Sequence, residues 1–243
     1  LTFVQGKASP PVTVSNCLAG PEYIVLREDF ASTPMRLTGR DLARVFVSGG
    51  GSDPLDITSF ICKSIQSLSC IERIDVVLGE FYAGDLQYSS RDFDFAKISI
   101  SKALSNPCHM MRVCGLAIVS YGMTALECLA CGLPTIALSM SDDHEASAKA
   151  LAGALVSVGQ PKNLNLPLLR NWISSFLNDS SVRLAYSAEA RRTIDGRGVE
   201  RVERTAARRA VLPHAGRRAV GARRADVGDR GEERPDAQPA RYP

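Results

Sequence analysis

The sequence predicts an α/β fold, a Rossmann-like doubly wound parallel sheet. Short, nearly continuous apolar runs recur at Val45–Val47, Ile74–Leu78, Leu116–Val119, Pro134–Met140 and Leu155–Val158, the pattern of strands buried on both faces. Between them lie stretches of helix formers with apolar residues at helical spacing, such as Leu55, Ile57, Phe60, Ile61, Ile65 and Leu68. Two of the runs end in glycine turns that lead into a helix, Gly49-Gly50-Gly51-Ser52 and Ser120-Tyr121-Gly122.

In chain order, Pro10-Pro11 breaks the opening stretch and Gly20-Pro21 marks a turn. Tyr23–Leu26 reads as a short strand-like piece. Residues 30–40 mix Ser, Thr, Pro and Gly and read as a linker. Val45–Val47 is the first strand of the sheet. The glycines after it free the backbone to wrap a pyrophosphate, or simply make a flexible strand-to-helix turn. No Lys-Ser/Thr follows, so this is not a Walker A loop. Asp53 is expected to N-cap the next helix with Pro54 at its first position. Ile74–Leu78 is the second strand, Phe81–Asp94 a polar loop, and Phe95–Ile100 an alternating third strand.

The stretch 115–144 organises the rest. A buried strand stops at Tyr121-Gly122, and Met123–Ala130 carries no helix breaker. Gly132 and Pro134 end that helix, and a strand follows. Such a helix begins at the carboxyl end of a parallel strand, where its free N–H groups and dipole face the ligand crevice of open α/β sheets. Gly122 allows close approach of an anion, and Thr124 offers a hydroxyl. Glu127, one turn in, can accept two hydrogen bonds from a ribose diol. Ordinary α/β packing, with Glu127 a solvated acid, is the alternative reading of the same pattern. Ser141 or Asp142 caps the next helix, and His144 near its start serves either a ligand or the cap. Leu166–Leu177 is amphipathic, and residues 181–194 read as the last helix.

Ser120–Glu127 followed by Cys131-Gly132-Leu133-Pro134 resembles the nucleotide motif of GT-B proteins related to MurG. It is similar above all to the pseudaminic-acid-pathway UDP-sugar hydrolases and their spore-coat-polysaccharide relatives. Pro21–Phe30 resembles the segment leaving their N-terminal domain, Val45–Pro54 the first strand and phosphate loop of their C-terminal domain, and Ser141–His144 their polar loop. Together these matches span about residues 20–200 in order. The resemblance implies the C-terminal half of a GT-B fold. It implies residues 1–40 as the remnant of an N-terminal domain and linker, and 41–202 as a nucleotide-sugar-binding domain. It implies UDP or a UDP-sugar as ligand, held by Gly49, Gly50, Gly51, Ser52, Tyr121, Gly122, Met123, Thr124, Glu127 and His144, with Ile100 near the base. The family's catalytic histidine stands in a Gly-rich loop of the N-terminal domain. None of His109, His144 and His214 has a matching context, so no catalytic residue is assigned.

The totals bound the remaining classes. The chain has 243 residues and opens at Leu1, so a fragment or unusual start is expected. No apolar run approaches the roughly 18 residues of a membrane span, and no leader pattern opens the chain. Seven scattered cysteines suit reduced, buried thiols in the cytoplasm rather than disulfides or a zinc site, so no metal or cofactor is expected. Residues 1–190 hold 15 Lys+Arg and 18 Asp+Glu, a net of −3; residues 191–243 hold 14 Arg and 8 acids, a net of +6. Residues 203–243 are expected to be disordered or translated out of frame. Arg-Arg pairs there suggest a nucleic-acid arm, but interleaved acids and absent aromatics argue against it. The composite expectation is the nucleotide-sugar half of a hydrolase or glycosyltransferase, with a non-catalytic binding protein of the same fold as the alternative.

Overall fold

The computed structural model describes residues 18–31, 41–84, 86 and 92–211. Six strands form one sheet: β1 (Asp41–Ser48), β2 (Arg73–Leu78), β3 (Ile98–Lys102), β4 (Cys114–Ser120), β5 (Thr135–Leu138) and β6 (Val156–Ser157). All pairings are parallel, and the order is β3-β2-β1-β4-β5-β6. This is the order of dinucleotide-binding doubly wound sheets, with its topological switch between β1 and β4. There Val45–Val47 pair with Ile74–Val76 on one side and Leu116–Ile118 on the other.

Alternation along the strands feeds two cores. Val45, Val47, Ile74, Val76, Leu116, Ile118 and Ile136 pack under α2 (Ile57–Ile65) and α6 (Leu166–Asn178). Phe46, Val77, Ala117, Val119 and Ala137 pack under α3 (Cys108–Val113) and α4 (Met123–Ala130), with Ala148 of α5 (Asp142–Ala150) and Ala190 of α7 (Ser180–Thr193). Burial on both faces is why β1, β2, β4 and β5 read as apolar runs, whereas β3, at the sheet edge and only partly buried, alternates.

Several expectations are corrected. Tyr23–Leu26 is not a strand: Pro21–Tyr23 is a 3-10 turn, extended chain follows, and Glu28–Ala31 forms a single helical turn, α1. Phe30 is no linker residue but lies fully buried in the α4-side core. Asp53 does not start a helix with Pro54. The helix begins at Ile57, and Leu55 is exposed rather than on its core face. The third strand lies two to three residues later than Phe95–Ile100, because Phe95 sits in a turn that feeds the strand. Residues 181–194 are not the last helix, since α8 (Gly198–Val211) follows and runs nine residues past the point where the tail was expected to begin. The opening stretch 1–15 and the Arg pairs after Val211 lie outside the described residues. Among the described residues no helix is long and apolar enough to cross a membrane, and no group of three His, Cys, Asp or Glu is placed to hold a metal.

Candidate functional site

The carboxyl ends of β1, β2 and β4 open into a crevice with two adjoining lobes. One, about 350 Å³, is walled by Arg27, Gly50, Gly51, residues 77–80, residues 103–105, Thr124 and Glu127. The other, about 190 Å³, is walled by residues 49–54, Ser120–Thr124, Met140 and His144. Gly50, Gly51 and Thr124 line both. The structure therefore brings together Gly49, Gly50, Gly51, Ser52, Tyr121, Gly122, Met123, Thr124, Glu127 and His144. Ile100 is not among the residues that line either lobe; beyond β3 the crevice is reached by Ala103–Ser105 and Pro107.

The glycine loop is fixed from within. Ser120 Oγ donates to the Gly49 carbonyl (2.7 Å), and Gly49 N–H donates to Thr58 Oγ1 (2.8 Å). Ser48 Oγ donates to the Val77 carbonyl (2.7 Å) and receives the Gly50 N–H (3.3 Å). Gly50 has φ 91°, a conformation that favours glycine. The N–H groups of Gly51 and Ser52 make no hydrogen bond among the described residues, and both residues are exposed at the crevice.

Three helices begin at the crevice, and their starts differ. The buried Asp53 carboxylate accepts the N–H groups of Ile57 (2.8 Å) and Thr58 (2.9 Å), so α2 is capped by an anion of its own. Ser141 Oγ accepts the His144 N–H (3.3 Å), capping α5. No side chain caps α4, where Gly122 is the N-cap. First-turn N–H groups have no partner within their helix, so α4 presents donors and a positive dipole end to the crevice. The acids Asp142 and Asp143 are exposed on α5 and line neither lobe. His144 lies with its ring edge to Tyr121 (5.9 Å between centroids), and its Nδ1 is buried without a hydrogen-bond partner.

Glu127 is half-buried, its side chain 17% exposed, with Oε1 3.7 Å from Arg27 Nη2. Burial pushes its carboxyl up from the ordinary value; Arg27 opposes the shift, and Cys108 adds to it. Sequence reasoning missed Arg27. It stands in a segment read as leaving the preceding domain, yet it donates to the Ser105 carbonyl and stacks over the Phe30 ring (5.4 Å). Leu26 and Phe30 on either side of it could have marked a packed segment, but nothing in the sequence places Arg27 at the crevice. The arrangement assembles uncapped N–H donors, a hydroxyl, a cation and a carboxylate around one concave space, which suits a polyanion carrying a diol.

No family model matches the chain. In sequence it is similar to an uncharacterized protein of Methanocaldococcus jannaschii, MJ1062, 33% identical over 137 residues (51% of this chain, 27% of that protein). It is also similar to the spore coat polysaccharide biosynthesis protein SpsG of Bacillus subtilis, 23% identical over 188 residues (75% of this chain, 56% of that protein). The chain thus spans only part of the length of these relatives. In structure it resembles the calicheamicin glycosyltransferase CalG4 with a TM-score of 0.53 and 13% identity, covering 74% of this chain and 45% of that one. It resembles the spinosyn rhamnosyltransferase SpnG complexed with thymidine diphosphate with a TM-score of 0.53 and 18% identity, covering 72% and 49%. The fold is a Rossmann-like α/β sheet that matches somewhat less than half of each of these GT-B glycosyltransferase chains.

Proposed function

We propose that the chain is the nucleotide-sugar-binding half of a UDP-sugar hydrolase or glycosyltransferase that acts in the cytoplasm in bacterial surface-polysaccharide or nonulosonic-acid biosynthesis. The observation that carries the reading is the uncapped start of α4 at the switch point, with Glu127 one turn further in. In this reading residues 41–202 form the ligand domain. The diphosphate lies against the Met123 and Thr124 N–H groups and the Thr124 hydroxyl. The free N–H groups of Gly51 and Ser52 reach it from the other side. Arg27 adds the positive charge that backbone donors lack. Glu127 accepts the ribose hydroxyls, which fixes the nucleoside relative to the phosphates.

The chemistry asked of this half is modest. Hydrolysis or transfer releases UDP, and negative charge grows on the departing diphosphate. Fixed N–H groups, a helix end and Arg27 stabilise that charge without reorganising. The relative named for polysaccharide biosynthesis and the structural neighbour holding thymidine diphosphate support this assignment.

Isothermal titration of the purified chain with UDP, and with ADP for comparison, tests it. UDP should bind, and Glu127→Gln should weaken it about tenfold or more, the scale of losing hydrogen bonds to a charged acceptor. A folded chain that binds no nucleoside diphosphate, or whose affinity ignores Glu127, overturns the reading.

A further inference from the structure

Arg27 reaches the crevice from a segment that belongs to no strand or long helix, so something must hold residues 22–30 in place. Part of the hold is apolar: Leu26 and Phe30 are buried in the α4-side core beside Ala190 and Ile194. The rest comes from the chain's far end. Gly196 has φ 81°, and a Cβ there would lie 2.8 Å from the Phe30 carbonyl oxygen; a Cβ on Gly198 would lie 1.9 Å from the Ile24 carbonyl oxygen. The two backbones therefore touch directly, and only glycine permits it. Next to this contact the Asp195 carboxylate takes both Arg201 nitrogens (2.7 and 2.5 Å) and the Arg197 N–H (3.0 Å). Arg201 Nη1 then donates to the Glu22 carbonyl (3.1 Å), across 179 residues of sequence.

Arg201 lines neither lobe of the crevice. We propose that the Asp195–Arg201 pair is a positioning device: it clamps residues 22–30 against the start of α8 and so sets Arg27 opposite Glu127 for the diphosphate. The proposal rests on the nucleoside-diphosphate reading of the crevice. Its physical basis is that a bidentate Arg–carboxylate pair has one geometry, and the same guanidinium bonds the segment's backbone. Released from it, the segment keeps its two apolar anchors but gains freedom between them. Arg27 must then be ordered when the ligand binds, and affinity falls by that ordering cost.

The test is a double-mutant cycle on the full chain, read by titration calorimetry with UDP and with uridine, alongside urea denaturation. Arg27→Ala should weaken UDP about tenfold or more and uridine by a clearly smaller factor, because uridine loses only the effect of Arg27 on Glu127 while UDP also loses the cation at its phosphates. Arg201→Ala should weaken UDP by a smaller factor, about three- to tenfold, again with a smaller loss for uridine than for UDP. In the Arg27→Ala background, Arg201→Ala should have no further effect on UDP. Asp195→Asn, which removes the charge from the clamp by another route, should reproduce Arg201→Ala. Additive losses in the cycle, or equal losses for UDP and uridine, overturn the positioning role while leaving the crevice assignment intact. If Arg27→Ala itself leaves UDP binding unchanged, Arg27 does not serve the phosphates and the proposal falls with it. If neither UDP nor uridine binds the parent chain, the underlying site assignment has failed.

Discussion

Gly79→Ala is the sharpest test of how the crevice is built. Gly79 follows β2 and, unlike Gly50, is not in the left-handed region, so a side chain there has no conformational penalty of its own. The obstacle is the glycine loop: a Cβ would lie 2.1 Å from the Gly51 carbonyl oxygen and 2.5 Å from that of Gly50. Backbone atoms cannot yield as a side-chain tip does, so the loop after β1 must retreat by about 1 Å to reach ordinary contact. That movement strains the Phe81 N–H to Gly51 carbonyl hydrogen bond (3.1 Å). Overpacking costs about 1–3 kcal/mol and the hydrogen bond about 1, so a destabilisation of about 2–4 kcal/mol is expected. Urea denaturation at constant m-value measures it. Gly51→Ala is the control, because its Cβ meets nothing within 4 Å and its φ is not positive. It should leave stability within about 0.5 kcal/mol of the parent while intruding on the diphosphate's space and weakening UDP. A Gly79→Ala variant as stable as the parent would show that the β1 and β2 loops are not in contact, and the crevice geometry would be wrong.

Three further outcomes follow from the same geometry. Asp53→Ala removes the acceptor of two N–H groups at the start of α2 and should cost about 2 kcal/mol in urea denaturation, with Asp53→Asn recovering part of it. Glu127 has a raised carboxyl, so its favourable contribution to stability is complete below the unfolded pKa and is lost as pH rises through the native one. Glu127→Gln should therefore be neutral or stabilising in urea at pH 7 while weakening UDP, and parent UDP affinity should fall as pH is lowered through the native pKa. Asp195 is held at about 2, chiefly by Arg201, so its contribution is complete above the ordinary 3.8 and lost as pH falls through about 2. For this partly exposed pair the effect should be about 1 kcal/mol, and Asp195→Asn should flatten acid denaturation between those values.

The central strands were legible because they are buried on both faces and read as apolar runs. The 3.6-residue spacing of Leu169, Ile173 and Phe176 likewise marked α6. The start of α4 was legible because a strand, a glycine and a helix free of breakers fall in immediate succession. Local signals failed where tertiary contact decides. Pro54 after an aspartate looks like a helix start, yet Asp53 reaches forward to Ile57 and Thr58 and leaves Pro54 and Leu55 in a turn. Phe30 sits among linker-type residues, but it is buried in a core that also holds Ala190 and Ile194, some 160 residues later, and its backbone meets Gly196. Residues 203–211 have a composition too polar to form a core of their own. The helix they continue is anchored at its start, where Arg201 bonds Asp195 and the Glu22 carbonyl.

The triple glycine after β1 shows why a motif alone does not locate a ligand. In sequence it suggests a loop shaped for a pyrophosphate. In the structure most of its glycines answer to the protein. Gly49 carries no side chain because a Cβ would lie 2.1 Å from the Asp53 carboxylate, and Gly50 because its φ is 91°. Only Gly51 faces open space, and the helix beyond the loop is already capped by Asp53. An anion placed against that helix would meet a buried carboxylate instead of free donors, which is unfavourable by desolvation and by charge. The helix start with free donors lies across the crevice, at α4, whose N-cap Gly122 has no side chain to occupy them and no atom within 4 Å of its own missing Cβ. Under the proposed nucleoside-diphosphate reading, the diphosphate therefore belongs at α4, with the β1 loop as its opposite wall. On that assignment Gly122→Ala should weaken UDP more than Gly50→Ala does, even though Gly50 carries the greater cost in stability. Titration of the two variants checks the order, and the reverse order would return the phosphates to the β1 loop.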